Sequence, residues 1–309
     1  MNPVMNDSAR AALPWVLVLC HNQAEVTLEC LATLAAQTHP AHVLVIDNAS
    51  TDGTAGLVAA AFPAVEVLRL EANLGYAGGN NAAMRHALAQ GAQALLLLNN
   101  DTRLAPDCLA ALMAALDAHP EAAAAGPMIY AWESWETISS AGGVIDWQHA
   151  DAINLGAGAR DSGQFPARSV DILNGCALMV RADAVVRVGL LDDRYFMYWE
   201  ETDWCTRMRH AGWGLWFEPA ARIQHKAPIK PEAMSRAALY YTARNRLLFF
   251  ARHTPATRRP QVVARAAHGI ARGGWRAWRS GQSGALERQA LRDFALGRFG
   301  RRTAHNGEW

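Results

Sequence analysis

No stretch of this chain is long and apolar enough to cross a bilayer. The longest largely apolar run, Ala122 to Trp132, is broken by Gly126-Pro127 and falls short of the ~18 apolar residues of a spanning helix. The N-terminus, MNPVMNDSARAA, has neither the basic start nor the apolar core of a signal peptide, so residues 1–13 read as a disordered leader. The five cysteines, Cys20, Cys30, Cys108, Cys176 and Cys205, are odd in number and include no CxxC pair. That pattern excludes a zinc ribbon and a disulfide framework and leaves reduced core residues of a cytosolic protein. No internal repeat is present, which excludes a solenoid. Lysine is missing from residues 233–309, where 15 Arg stand against three acids for a net +12. Residues 1–232 set 14 basic side chains against 25 acids, a net −11, so the near-neutral total hides an acidic body and a basic tail.

What is present is core-forming material and a strand–helix rhythm. At 309 residues and 51% hydrophobic content, the chain can build one large domain or two fused halves. Trp15–Cys20 and His42–Ile46 read as buried strands, Val65–Leu70 as an alternating strand and Ala94–Leu98 as a fourth. Helices are expected over Glu25–Gln37, from the DNASTDGT turn through Ala61, and after a glycine-rich loop, NLGYAGGNN, to about Gln90. Strands alternating with such helices specify an α/β, doubly wound, mostly parallel sheet. Ligands in such sheets bind beyond the carboxyl ends of the strands, where Asn22, Asp47, Asn73 and Asp101 fall.

After Pro127 the rhythm changes. Residues 128–156 read as irregular strands and loops, Val170–Val180 as a strand, Ala182–Val188 and Glu200–Ala211 as helices, and Leu215–Phe217 and Ala221–His225 as two short strands. From about Glu232 the chain reads as helical, with breaks near Pro255, Pro260, Gly273-Gly274 and residues 281–284. The expected organisation is a first half at 14–126, a second half at 127–231 and a basic helical extension at 232–309.

Five clusters carry candidate chemistry. Asp47 and Asn48 open a loop at a strand end, while Asp52 reads as a cap for the next helix. The glycines of Asn73–Asn81 permit close backbone approach to a phosphate or make an ordinary turn. They are not a Walker loop, since no GK[S/T] follows. Asp101, in Asn99-Asn100-Asp101, is a cation ligand or a cap for the helix near Pro106. Glu200, Glu201 and Asp203 sit among Tyr198, Trp199 and Trp204. Acids among aromatics are costly unless they bind something or move a proton, although a helix N-terminus accounts for part of the cluster. His225, alone at a strand end, is structural or a ligand.

As a set, these motifs resemble family 2 glycosyltransferases of the GT-A fold, and within them the rhamnosyltransferase-like branch. DNASTDGT matches the D-D/N-x-S-x-D-G-T/S signature, NLGYAGGNN the N-x-G-[FY]-A-x-G-N-N loop, NND an N-x-D variant of D-x-D, EETD the E-D-x-D acids, and Ile223-Gln224-His225 the V-x-H. Tyr240-Tyr241-x-x-Arg244-Asn245 resembles a segment that follows the catalytic domain in this branch.

The resemblance places Asn22, Glu25, Asp47, Asn73, Gly75, Gly79, Asn80, Asn100 and Asp101 around a nucleotide sugar. It makes Asp101 and His225 ligands to Mn2+ or Mg2+. It assigns the general base to Glu201 with Glu200 in reserve, and gives Asp203 a helix-orienting or acceptor role beside Trp199. Glu201 stands where the family has Asp, and Asn99 where most members have the first acid.

The implied reaction is metal-dependent, inverting transfer of a sugar by a hexosyltransferase-type enzyme. The branch suggests rhamnose from dTDP-rhamnose, moved to a lipid-linked glycan in bacterial surface polysaccharide synthesis, such as lipopolysaccharide. The implied location is the cytoplasm, or the inner face of the cytoplasmic membrane. Trp275, Trp278 and Phe299 among the tail arginines suit contact with an anionic bilayer or packing on the acidic body. Nucleic acid is not an expected partner, since no recognition motif is present. Two other classes stand beside this reading. One is a non-catalytic, membrane-associated glycan-binding or assembly subunit with a decayed site. The other is a nucleotidyltransferase, disfavoured because CHNQAE supplies no basic glycine-rich loop.

Overall fold

The structure is a computed structural model that describes residues 13–226, 234–279 and 283–302. The expected leader lies outside the described residues except for Leu13. β1 (Trp15–Cys20), β2 (His42–Asp47), β3 (Glu66–Arg69) and β4 (Ala94–Asn99) form the parallel part of a ten-stranded sheet. They are joined by α1 (Ala24–Ala35), α2 (Thr54–Ala61) and α3 (Gly75–Ala89). Side chains alternate across a strand, and both faces of this sheet are covered. Leu17, Leu95 and Leu97 enter the core beneath α3, while Val16, Val18, Leu96 and Leu98 enter the core beneath α1. Continuous apolar strands are what a sheet buried on both faces requires.

β5 (Thr102–Leu104) and α4 (Cys108–Ala118) lead into β6 (Ala122–Ala131), a ten-residue buried strand. The expected half boundary at 126 therefore falls inside a continuous strand. β7 (Ile138–Ser140) pairs with β6, and β8 (Gly143–Asp146) pairs with β9 (Asp151–Asn154) in a separate hairpin sheet. β10 (Arg168–Ser169) follows, and then β11 (Ala177–Arg181) runs antiparallel between β4 and β6. The strand expected over Val170–Val180 is thus confined to its second half.

β12 (Gly214–His225) is one strand where the sequence pattern suggested two. It runs parallel to β6, and its register shifts between Glu218 and Arg222, opposite Pro127. Proline cannot donate to the ladder, and a bulge absorbs the break. α5 (Ala182–Val188) and α6 (Glu200–His210) precede β12. The tail forms α7 (Arg236–His253), α8 (Arg259–Arg279) and α9 (Ala285–Ala295). Gly273-Gly274 lies inside α8 and does not end it, because burial of Gly274 against α9 outweighs glycine's helix penalty. Leu247 to Phe250 of α7 belong to the same core as Leu17 and Leu97, so α7 is part of the body. All five cysteines are free and buried. Among the described residues, no helix is long and apolar enough to cross a membrane.

Candidate active site

Strand register brings the polar ends together. Cys20 is level with Asp47, and Leu19 with Asn99. β11 starts at the same edge, where Asn99 N donates to Cys176 O, and β12 ends there, with His225 opposite Thr102. Beside this edge lies an open cavity of about 520 Å³ lined by Gln23, Glu25, Asp52, Asp101 and Lys226 among others.

Asp47 is 1% exposed. Its Oδ1 accepts from Ser50 N at 2.8 Å, while Oδ2 has no hydrogen-bond partner and meets only Arg69 Nε at 3.5 Å. Asn22 has φ +60; its N–H donates to Ser50 Oγ and its Oδ1 accepts from Thr51 N, so it fastens this loop to β1. The N-cap of α2 is Gly53, not Asp52; Asp52, one residue earlier, accepts from Thr54 N at 3.0 Å. Glu25 reaches the cavity wall. Asn100 donates to Thr27 Oγ1, tying the turn after β4 to α1.

The NLGYAGGNN segment is corrected. From Gly75 onward it is the first two turns of α3, with Gly79 and Asn80 buried inside and Leu74 as the N-cap. Its leading amides are already engaged: Leu74 N by Asn48 Oδ1, Gly75 N by Asn73 Oδ1 and Ala77 N by Phe196 O. Three of the amides that a phosphate cradle would use are therefore already spent within the protein. Gly75 has φ +72, and a Cβ at that position would lie 2.4 Å from Phe196 O. The segment is instead a close joint between the donor side and the loop before α6. Asn80 Nδ2 donates to Tyr76 O, and its Oδ1 is buried without a partner.

Asp101 and His225 face each other, with Nε2 at 3.2 Å from Oδ1. Asn99 Nδ2 lies 3.3 Å from the same imidazole nitrogen. Burial works against the imidazolium, but Cys176 and Asp101 beside it outweigh burial and push His225 up to about 10. Burial likewise opposes ionisation of Asp101, yet His225 and Lys226 bring its carboxyl below the usual range. Among the described residues, no three His, Cys, Asp or Glu side chains converge as a metal site. Asp101 Oδ1 is buried with no aligned hydrogen bond. An orphaned carboxylate oxygen beside an imidazole nitrogen fits Mn2+ or Mg2+ with remaining ligands from outside the protein.

The acids of α6 divide sharply. Glu200 is 3% exposed and Glu201 is partly buried, and one carboxylate oxygen of each is buried without a partner. Burial drives the Glu200 carboxyl well above the usual range, with repulsion from Glu201 adding to it, and burial raises Glu201. Asp203 is 0% exposed. It accepts from Arg207 Nε at 2.8 Å and Tyr195 Oη at 3.3 Å, and meets His253 Nε2 at 2.7 Å. Burial opposes its charge, yet His253 and Arg207 hold its carboxyl below the usual range. Asp203 therefore orients α6; a catalytic or acceptor-binding role does not fit a carboxylate enclosed by its own partners. Trp199 is corrected as well. It is 7% exposed and packs on Phe249 and Phe250 at centroid distances of 5.2 and 5.7 Å. Tyr198 takes the open position, 41% exposed, and its hydroxyl feels Glu200, Asp101 and Glu201.

Tyr198 and Lys226 are site residues that the sequence alone does not single out. Lys226 had a signal, a cation directly after the strand-end histidine in an acidic body. Tyr198 had none, since only backbone handedness decides which aromatic turns outward.

Comparison with known proteins now decides the family. A model described as "Glycosyl transferase family 2" matches residues 15–166. N-acetylglucosaminyl-diphospho-decaprenol L-rhamnosyltransferase of Mycobacterium tuberculosis is 31% identical over 219 residues, covering 63% of this chain and 70% of that protein. The chain belongs to glycosyl transferase family 2. As a glycosyltransferase of this family it has the GT-A architecture of its structural neighbours. A mannosyltransferase from Pyrobaculum calidifontis, solved with GDP-Man and Mn2+, superposes with TM-score 0.58 at 18% identity, over 92% of this chain and 87% of that one. GalNAc-T7, solved with UDP, GalNAc and Mn2+, gives TM-score 0.59 at 15% identity over 75% of this chain, which spans only 47% of that protein. The chain is thus a family 2 glycosyltransferase of rhamnosyltransferase type, with an α/β GT-A fold and a helical tail.

Proposed function

We propose that this glycosyltransferase inverts the anomeric centre of a sugar as it moves it from a nucleoside diphosphate to a glycan hydroxyl. The observation that carries this reading is a pair of unpartnered carboxylates, Glu200 and Glu201, on a helix facing the strand ends that hold the Asp101–His225 pair. Glu201 is the general base, being the less buried of the two. It takes the proton of the acceptor hydroxyl as the new bond to the anomeric carbon forms and the bond to the diphosphate oxygen breaks. A single displacement inverts configuration. Asp47 reads the nucleobase through its unpartnered Oδ2, which suits an imide N–H. Asp101 and His225 would hold a divalent cation, which supplies charge neutralisation at the diphosphate when bound. Lys226 adds positive charge at the same wall.

dTDP-rhamnose is the donor and a lipid-linked glycan the acceptor in this reading, supported by the relative from Mycobacterium tuberculosis. Trp275 and Trp278, 54% and 65% exposed on arginine-rich α8, would rest on the cytoplasmic face of an anionic bilayer and bring the site to such an acceptor.

The test is release of nucleoside diphosphate from a panel of nucleotide sugars with Mn2+ or Mg2+, alone and with lipid-linked acceptor. Metal-dependent cleavage of one donor, lost in Glu201→Gln and Asp101→Ala, is expected. No cleavage of any donor with acceptor present, while nucleotide still binds, would return the chain to the non-catalytic glycan-binding class.

A further inference from the structure

The loop before the two acids has an uncommon backbone. Phe196, Tyr198 and Trp199 have φ of +65, +66 and +75, a left-handed conformation that side chains other than glycine adopt only at a cost. This run turns Trp199 into the core and Tyr198 outward, and it starts α6 at Glu200. Local sequence does not favour it, so something else must hold it.

The holder comes from α7. Asn245, 0% exposed, donates through Nδ2 to the carbonyls of Tyr195, Met197 and Tyr198, each at 2.8 Å. Three carbonyls thus converge on one amide group. Arg244, 1% exposed, donates Nε to Asn245 Oδ1 at 2.9 Å and so fixes which way that amide points. Its Nη2 reaches the carbonyls of Arg194 and Tyr195, and its Nη1 reaches Gly300 O at 2.8 Å. The end of the tail closes the arrangement, with Gly300 N donating to Arg194 O and Arg302 N to Tyr241 Oη. On its other side the loop meets α3, where Phe196 O accepts from Ala77 N.

We infer that Arg244 and Asn245 are positioning residues for the transfer reaction: they clamp the left-handed loop and thereby set Glu200, Glu201 and Tyr198 against the donor-side strand ends. The inference rests on the reading that Glu201 moves a proton. It gives the Tyr240-Tyr241-x-x-Arg244-Asn245 segment a task and makes the C-terminal helices part of the catalytic apparatus.

Asn245→Asp is the discriminating variant, since it keeps the shape and turns an acceptor toward three carbonyls. Leu247→Ala on the same helix is the control, a core truncation that leaves the loop carbonyls untouched. In Asn245→Asp, kcat should fall by about 100-fold, as ~1 Å misplacement of a catalytic group does, while donor KM and calorimetric donor affinity stay within about twofold. Leu247→Ala should lower the melting temperature and leave kcat per folded molecule unchanged. If Asn245→Asp does not fold, Asn245→Ser, with one donor for three carbonyls, takes its place. Unchanged kcat, or a loss that only tracks the folded fraction, overturns the clamp. If the unmutated protein cleaves no donor, it is the functional reading that fails. The clamp is then decided by amide exchange over residues 195–201, which the Asn245 variant must accelerate selectively and Leu247→Ala must not.

Discussion

The first turn of α6 sets acids of two environments side by side: Glu200 and Glu201 on one hand, Asp203 on the other. Glu200 and Glu201 keep unpartnered oxygens, and burial raises both carboxyls. Asp203, in the same turn, is enclosed by Arg207, Tyr195 and His253, and its carboxyl is lowered. In the proposed function the unsatisfied acids serve the chemistry and the satisfied one serves the fold. The difference arises from what packs against each side chain, since the residue types are nearly the same.

The sharpest way to break this contrast is to neutralise each side in turn. Glu201→Gln should lower kcat by roughly 10²–10⁴-fold, the usual worth of a general base, with the melting temperature unchanged or raised. Steady-state kinetics and a thermal melt check both halves. Asp203→Asn should do the reverse. Leaving Arg207 and His253 without their carboxylate costs about 3–5 kcal/mol of stability, read by urea unfolding at pH 7, with catalysis per folded molecule largely kept.

The pH dependence separates the two kinds of acid by sign. A lowered carboxyl pKa contributes stability that is present above the unfolded value and lost as pH falls through the folded one. The Asp203→Asn penalty should therefore shrink toward low pH. A raised pKa acts oppositely: between the ordinary glutamate value of 4.5 and the raised folded value, stability falls as pH increases. Melting temperatures of the parent protein and Glu201→Gln across that window should converge at the acid end. Over the same range kcat/KM should fall as pH drops below the raised value, placing its acidic limb above 4.5. An acidic limb at the ordinary value would show that substrate binding removes the effect of burial.

The smallest effect is expected on the exposed face of α8. Trp275→Ala with Trp278→Ala should weaken cosedimentation with anionic vesicles and leave hydrolysis of soluble donor unchanged. Loss of soluble activity would mean that α8 supports the body and does not merely face a bilayer.

Much of the donor side was legible because it is local. Short apolar runs and the helix spacing place β1 to β4, and strand ends place Asp47 and Asp101 without further information. Three misreadings share one cause. The glycine-rich segment reads as a loop because glycine disfavours helix, yet Asn48, Asn73 and Phe196 supply the contacts that start α3 there. Trp199 reads as an acceptor platform because it neighbours the acids, yet a left-handed backbone sends it inward. β12 reads as two strands because its pattern is interrupted, yet β6 carries it through the bulge.

The sequence by itself determined the family, the alternating sheet and which acids and histidine reach its carboxyl edge. These follow from side-chain periodicity and short motifs, whose information lies within a few residues. Only the tertiary structure decided which acid of α6 is spent on the fold, which aromatic faces the site and what holds the loop between them. Those outcomes depend on hydrogen bonds from residues some fifty positions away, such as Asn245 to Tyr195 and His253 to Asp203. No local propensity encodes a partner that only chain closure brings near.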